Sequence, residues 1–225
     1  MKAKGQPFLD ADLAAARRYD RWYETPRGQE TAPAEEALLD DLLARFDGTA
    51  SLLEIGCGRG HFTRWFAGRR LRVVGLDPSP AMLAVAAEPD GGISHARGSA
   101  ESLPFADGAF DLVAFVTSLE FLPNPAVALR EARRVGRLGV ILGVLNAASP
   151  LGLRRKLEAP FRPFPYGTAH FYTTRGFAGL LRRELGADAR VVVVRTALWP
   201  RWAFIGAAVD FAPTDGRRGQ PRGTD

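Results

Sequence analysis

Four short, almost wholly apolar runs constrain this chain most: "SLLEI" at 51–55, "LRVVGL" at 71–76, "FDLVAFV" at 110–116 and "LGVILGVL" at 138–145. Each is short for a buried helix and too uniformly apolar for a strand with one wet face. Runs of this kind suit strands covered on both sides. Helical patterns at 60–67, 79–87 and 124–135 fall between them, with a weaker strand near 92–96. Parallel neighbours need a crossover, usually a helix, so the alternation predicts an α/β doubly wound sheet with helices on both faces.

The flanks add to this core. Residues 9–23 read as one helix that "TPRG" (25–28) breaks. A second amphipathic helix follows, with Pro33 near its start and Leu38, Leu39, Leu42, Leu43 and Phe46 as its buried stripe. Residues 147–172 mix Pro150, Pro160, Pro163 and Pro165 with Phe161, Phe164, Tyr166, Phe171 and Tyr172, which suits a cap over a pocket or a packed surface loop. A helix resumes at 174–185 behind Thr173 or Thr174 as N-cap. "RVVVVRT" and "WAFIGAAVDF" have no crossover helix between them, so they pair antiparallel. The expectation is therefore seven strands, mostly parallel with one antiparallel strand near the C-terminus. They form a single domain over 1–211: a helical N-terminal cap (1–47), a core (48–146) and a cap insertion (about 147–172). The Gly/Pro-rich segment 212–225 reads as a disordered tail.

Composition excludes some chemistry. One cysteine, Cys57, allows neither an internal disulfide nor a thiolate cluster, and His61, His95 and His170 have no ligand spacing, so no metal is expected. Asp10 and Asp12 interrupt any leader-like apolar core, and no run suits a membrane span, which makes a cytoplasmic protein the expectation. Residues 152–201 hold ten Lys or Arg against Glu158, Glu184 and Asp188, an excess of seven. That is either a solvated basic face or a surface for an anionic partner.

The first apolar run stops in "GCGRG", three glycines at alternate positions behind the lone acid Glu54. Glycine there marks a strained turn or backbone that a ligand approaches closely. Glycine-rich turns after the first strand of doubly wound folds bind nucleotides. Asp77 ends the second run, where a carboxylate can accept hydrogen bonds from both hydroxyls of a ribose. The spacing is not G-x-G-x-x-G, and Glu54 would be unwelcome beside a pyrophosphate. An acid suits a ligand with an ammonium group. A ribose, an amino-acid tail and no phosphate describe S-adenosylmethionine, while a nicotinamide-dependent oxidoreductase remains the alternative that the spacing disfavours.

On these motifs the chain resembles the class I S-adenosylmethionine-dependent methyltransferases, in their type 11, ubiquinone/menaquinone-biosynthesis-like branch, a Rossmann-like fold. The resemblance covers roughly 19–146. It rests on "LLEIGCGRGHF", "VVGLDPSPAML", "GSAESLPFADGAFDLVAFVTSLEFL" and "REARRVGRLGVILGVLN" in that order. It implies that Glu54, Gly56, Cys57, Gly58 and Gly60 face the methionine portion and that Asp77 holds the ribose. Pro78 and Met82 would lie beside the adenine, Ser99, Ala100 and Glu101 along its edge, and Thr117 near the sulfonium. Ser99 stands where relatives often carry Asp, a weaker acceptor for the adenine amino group. "RVGRLG" is shorter than the family's Pro-Gly-Gly turn and reads as structural.

Methyl transfer from a sulfonium needs alignment and water exclusion more than a fixed catalytic group. The candidates near the acceptor are therefore few. Glu120 can take a proton or bind an amine, or be a helix-start acid in solvent. His170 can act as a base from the cap. Tyr19 and Tyr23 can close over the cofactor, or simply pack. Asp107 and Asp111 read as structural. "TSLE" is not the Asn/Asp-Pro-Pro-aromatic motif of nucleic-acid base methylation, so the expected partner is a small-molecule acceptor, apolar or anionic. A non-catalytic S-adenosylmethionine-binding module acting through a partner is the other reading.

Overall fold

A computed structural model of the chain describes residues 12–19, 21–88, 92–158, 169–187, 189–197 and 203–211. The tail 212–225 and the aromatic positions Phe161, Phe164 and Tyr166 lie outside them. Seven strands form one sheet in the order β3-β2-β1-β4-β5-β7-β6. They are β1 (Ser51–Ile55), β2 (Arg72–Asp77), β3 (Ser94–Arg97), β4 (Phe110–Val116), β5 (Gly136–Leu145), β6 (Ala189–Ala197) and β7 (Phe204–Phe211). The first five run parallel, and β7 lies antiparallel between β5 and β6. The order reverses between β1 and β4, which is where open α/β sheets bind ligands at their carboxyl ends.

Alternate residues of the strands feed two cores. Leu53, Ile55, Val113 and Phe115 face one side, where α6 (Pro125–Val135) and α8 (Thr174–Glu184) supply Leu129, Ala132, Phe177 and Leu181. Leu52, Leu112 and Ala114 face the other. There α3 (Pro26–Leu43) and α4 (His61–Ala67) supply Leu38, Leu39, Leu42, Phe62 and Phe66. Burial on both faces is why these runs show no alternation in sequence. At the amino ends of the strands, Asp111 accepts N–H bonds from Ala50 and Ser51 and pairs with Arg137. Asp107 pairs with Arg134. Both have the structural roles read from the sequence.

Two readings of the flanks change. Of the predicted helix 9–23 the described residues hold α1 (Leu13–Tyr19) and α2 (Arg21–Glu24), while residues 9–11 and 20 lie outside them. "TPRG" does not merely interrupt: Thr25 is the N-cap of α3, accepting from the Gly28 N–H, with Pro26 as first helical residue. Pro33 therefore lies inside α3 rather than near its start. Within 147–172 a helix forms, α7 (Pro150–Glu158). The remaining crossover, α5 (Pro80–Ala86), is capped by Ser79, and α8 by Thr173 as expected. No described helix is long and apolar enough to cross a membrane.

Candidate active site

The three glycines after β1 all have positive φ, +73° at Gly56, +53° at Gly58 and +76° at Gly60, but for different reasons. A Cβ on Gly56 would lie 2.5 Å from the Ser118 Cβ, because Ser118 packs on the loop and its hydroxyl donates to the Ile55 carbonyl at 2.6 Å. Gly56 is what lets the ends of β1 and β4 close together. Gly60 is the N-cap of α4, with Arg64, Ala86 and His95 around the position of its missing side chain. Around a Cβ on Gly58 there is nothing within 4 Å. The backbone there borders open space, room that a bound ligand can use.

Asp77 sets that loop. Its Oδ2 accepts from the Gly58 N–H and its Oδ1 from the Ser79 N–H, both at 2.9 Å. Each carboxylate oxygen keeps a further lone pair for a ligand hydroxyl. Burial raises the Asp77 pKa, and the two N–H donors only partly offset it. Glu54 lies beneath the loop, 1% exposed, accepting from the Thr63 hydroxyl of α4. Burial pushes its pKa up to about 8. The Asp77 charge adds to this, while the Thr63 hydroxyl and Arg64 oppose it. A cation delivered beside Glu54 would favour its ionised form. The buried Cys57 thiol is likewise raised by burial, then by Glu54 and Asp77, which suits a small packing residue rather than a nucleophile.

The remaining expected residues separate into two sets. Thr117 stands with the loop, at the carboxyl end of β4, and is a β-branched residue at φ +49°. Such a conformation costs about 1–3 kcal/mol and persists only where neighbours hold it. Here the Thr117 N–H donates to the Gly143 carbonyl at 2.8 Å, and Ser118 anchors the next residue. Met82 instead packs with Ala16 and Val85 beneath α1. Ser99 is engaged within its own turn, accepting from the Glu101 N–H, and the Glu101 carboxylate accepts from the Asn124 N–H ahead of α6. Ala100 is buried and Pro78 half-buried between these elements.

Tyr19 ends α1, and its side chain lies outside the described set. Tyr23 stacks on His61 at 3.9 Å between ring centroids and bonds Glu35, so it joins the cap to α4. The cap reaches the glycine loop through Arg59, which donates to the Arg17 carbonyl at 3.0 Å.

Beyond β4, Glu120 is fully buried rather than in solvent, in a short 3-10 turn (Leu119–Phe121). Its Oε1 accepts from the Leu145 N–H at the end of β5, and its carbonyl accepts from the His170 N–H. His170 is exposed. Tyr172 bridges to Asn146 in parallel, bonding Leu145 and Ala147 through its backbone. Its hydroxyl is buried with no hydrogen-bond partner among the described residues. Burial and then the Glu120 carboxylate raise its pKa, so the phenol stays protonated. Thr63, Ser118 and the Tyr172 hydroxyl escaped the sequence reading, because none sits in a local pattern. Among the described residues no group of three His, Cys, Asp or Glu is placed to hold a metal ion.

The family described as a methyltransferase domain, type 11, matches residues 53–143, which include the loop, Asp77 and the end of β4. The chain belongs to the class I S-adenosylmethionine-dependent methyltransferases. The chain is 33% identical over 178 residues to an uncharacterised protein of Mycobacterium bovis, across 77% of this chain and 60% of that one. It thus spans about 60% of the length of that curated relative. It is 32% identical over 143 residues to the malonyl-[acyl-carrier protein] O-methyltransferase of Pectobacterium atrosepticum, 64% of this chain and 54% of that protein. Its fold matches a SAM-dependent methyltransferase of Thermotoga maritima, described as a possible histamine N-methyltransferase. The TM-score is 0.71 at 24% identity, covering 89% of this chain and 98% of that one. The cofactor of the methyltransferase is S-adenosylmethionine. The residues present are compatible with it: open space beside Gly58, the Asp77 carboxylate with further lone pairs next to that loop, and a second acid, Glu54, under it.

Proposed function

We propose that this methyltransferase acts on a small-molecule acceptor that enters over the carboxyl ends of β4 and β5. The observation that carries the reading is the open side of Gly58, whose N–H the Asp77 carboxylate holds, one strand away from the buried polar pair Glu120 and Tyr172. When bound, S-adenosylmethionine supplies a methyl group on a positively charged sulfur, ready for in-line displacement by a lone pair.

The chain's own residues then have five tasks. Asp77 holds the ribose hydroxyls while keeping the Gly58 N–H in place. Glu54, protonated near neutral pH without a cation beside it, ionises to meet the cofactor's ammonium group. Thr117, held strained just past β4, would line the sulfonium end of the cofactor. Glu120 receives a proton from an acceptor that must lose one, and the protonated Tyr172 hydroxyl orients the acceptor by donating to it. Alignment of this kind supplies roughly 7–11 kcal/mol of the barrier. The relatives named above, one acting on malonyl-[acyl-carrier protein] and one described as a possible histamine N-methyltransferase, support a small acceptor group, free or carrier-borne, without choosing between those chemistries.

The test has two stages. Calorimetry should show binding of S-adenosylmethionine and no binding of NAD. Release of S-adenosylhomocysteine should then be followed across small-molecule pools. Binding without turnover in any pool would favour a non-catalytic module, and binding of NAD instead would overturn the reading.

A further inference from the structure

Leu153 and Leu157 on α7 are the most exposed large apolar side chains among the described residues, at 57% and 67%. Four residues apart on a helix, they share one face. The helix cannot readily roll to hide them, because Gly152 presses it against the chain just past β5. A Cβ there would lie 2.1 Å from the Asn146 carbonyl oxygen and 3.1 Å from the Ala147 Cα. The start of α7 is fastened at the same place, where Ser149 accepts from the Gly152 and Leu153 N–H groups, each at 2.9 Å. The exposed leucines are thus held out at the carboxyl end of the sheet, the end that carries the cofactor cradle.

Charge accompanies them. Arg154, Arg155 and Lys156 fall between the two leucines in sequence, against the single acid Glu158. They open the stretch 152–201, with ten basic residues against three acidic ones. We propose that α7 docks the protein on an anionic lipid bilayer, Leu153 and Leu157 entering the interface and the basic residues meeting the head-group charge. Exposed apolar side chains with basic residues between them in sequence complement a surface that is negative outside and apolar just beneath. Two leucines on a nine-residue helix make the attachment weak and reversible. Docked in this way, the carboxyl end of the sheet faces the bilayer.

The experiment is co-sedimentation of the full chain with vesicles of equal phosphatidylglycerol and phosphatidylcholine, and with phosphatidylcholine alone. At about 0.05 M salt the protein is expected to bind the first and not the second, and to be released at about 0.5 M. The double variant Leu153→Ser/Leu157→Ser should bind at least about tenfold more weakly, with an unchanged melting temperature. Leu13→Ser, on α1 and 43% exposed in the wild type, should bind as the wild type does. Absence of vesicle binding overturns the proposal, including the case in which the helix captures an acidic protein instead. So does equal binding by the double variant. S-adenosylhomocysteine affinity, measured by calorimetry on the same proteins, should not change, so failure of the cofactor site would be seen separately.

Discussion

Replacing Gly58 by Ala separates a glycine needed for a ligand from one needed for a turn. Gly48, in the loop before β1, is the matched control. Gly48 has φ +72° and Gly58 +53°, and a Cβ at either meets nothing within 4 Å. Each Ala variant therefore pays the same left-handed backbone penalty, about 1–2 kcal/mol, and no protein clash. For a chain of this length that lowers the melting temperature by about 2–8 °C in both cases. The two positions lie at opposite ends of β1, roughly 17 Å apart for five strand residues. Only at Gly58 does the added methyl enter the space assigned to the cofactor. Overfilling a close-packed contact costs about 1–3 kcal/mol, a loss of affinity of about 5- to 150-fold. Calorimetric titration with S-adenosylhomocysteine on both folded variants is the assay. If Gly58→Ala melts like Gly48→Ala and binds like the wild type, the open space over Gly58 is not where the cofactor sits.

Asp77→Asn keeps one oxygen for the Gly58 or Ser79 N–H but loses the charge, so S-adenosylmethionine affinity should fall about ten- to hundredfold in a folded protein. An unchanged dissociation constant would remove Asp77 from the ribose. Glu54 is raised from 4.5 to about 8, so the folded state binds its proton more tightly than the unfolded state. Stability without cofactor should therefore fall as pH rises from about 4.5 to about 8. Glu54→Gln should flatten that part of the curve in denaturant titrations at several pH values; a slope that survives the substitution belongs to another group. Tyr172→Phe removes a buried hydroxyl that has no partner among the described residues, so the melting temperature should rise, by about 2–4 °C if 1 kcal/mol is regained. A lower melting temperature would mean that the hydroxyl is bonded in the folded protein.

Much of the sheet and of the loop after β1 was legible in order along the chain. Continuous apolar runs separated by helical patterns reflect burial on both faces, a local consequence of a parallel sheet, and the positions of β1, β4 and α6 follow to within a residue or two. The glycine loop and Asp77 were legible for the same reason, since a turn and the acid at the end of the next strand are near-local features. What each glycine does was not. Gly56 is required by Ser118, a residue 62 positions away just past β4, and Gly58 borders space that no neighbour fills, a difference only the closed sheet creates.

The region past β4 and β5 depended on tertiary structure almost entirely. In sequence Glu120 reads either as an acid for an acceptor's proton or amine or as a helix-start acid in solvent, and only the end of β5, which meets it and buries it completely, removes the solvent reading. Tyr172 reads as one aromatic in a cap, yet pairing with Asn146 sets its hydroxyl near that carboxylate. "TPRG" reads as a breaker, because the same Pro and Gly that end one helix can begin the next, and only the Thr25 hydroxyl bond to Gly28 decides which. Periodicity and turn chemistry are properties of neighbours in sequence, so the chain itself carries them. The burial of a charge and the partner of a hydroxyl depend on which distant strand arrives beside them, and that is decided only when the sheet assembles.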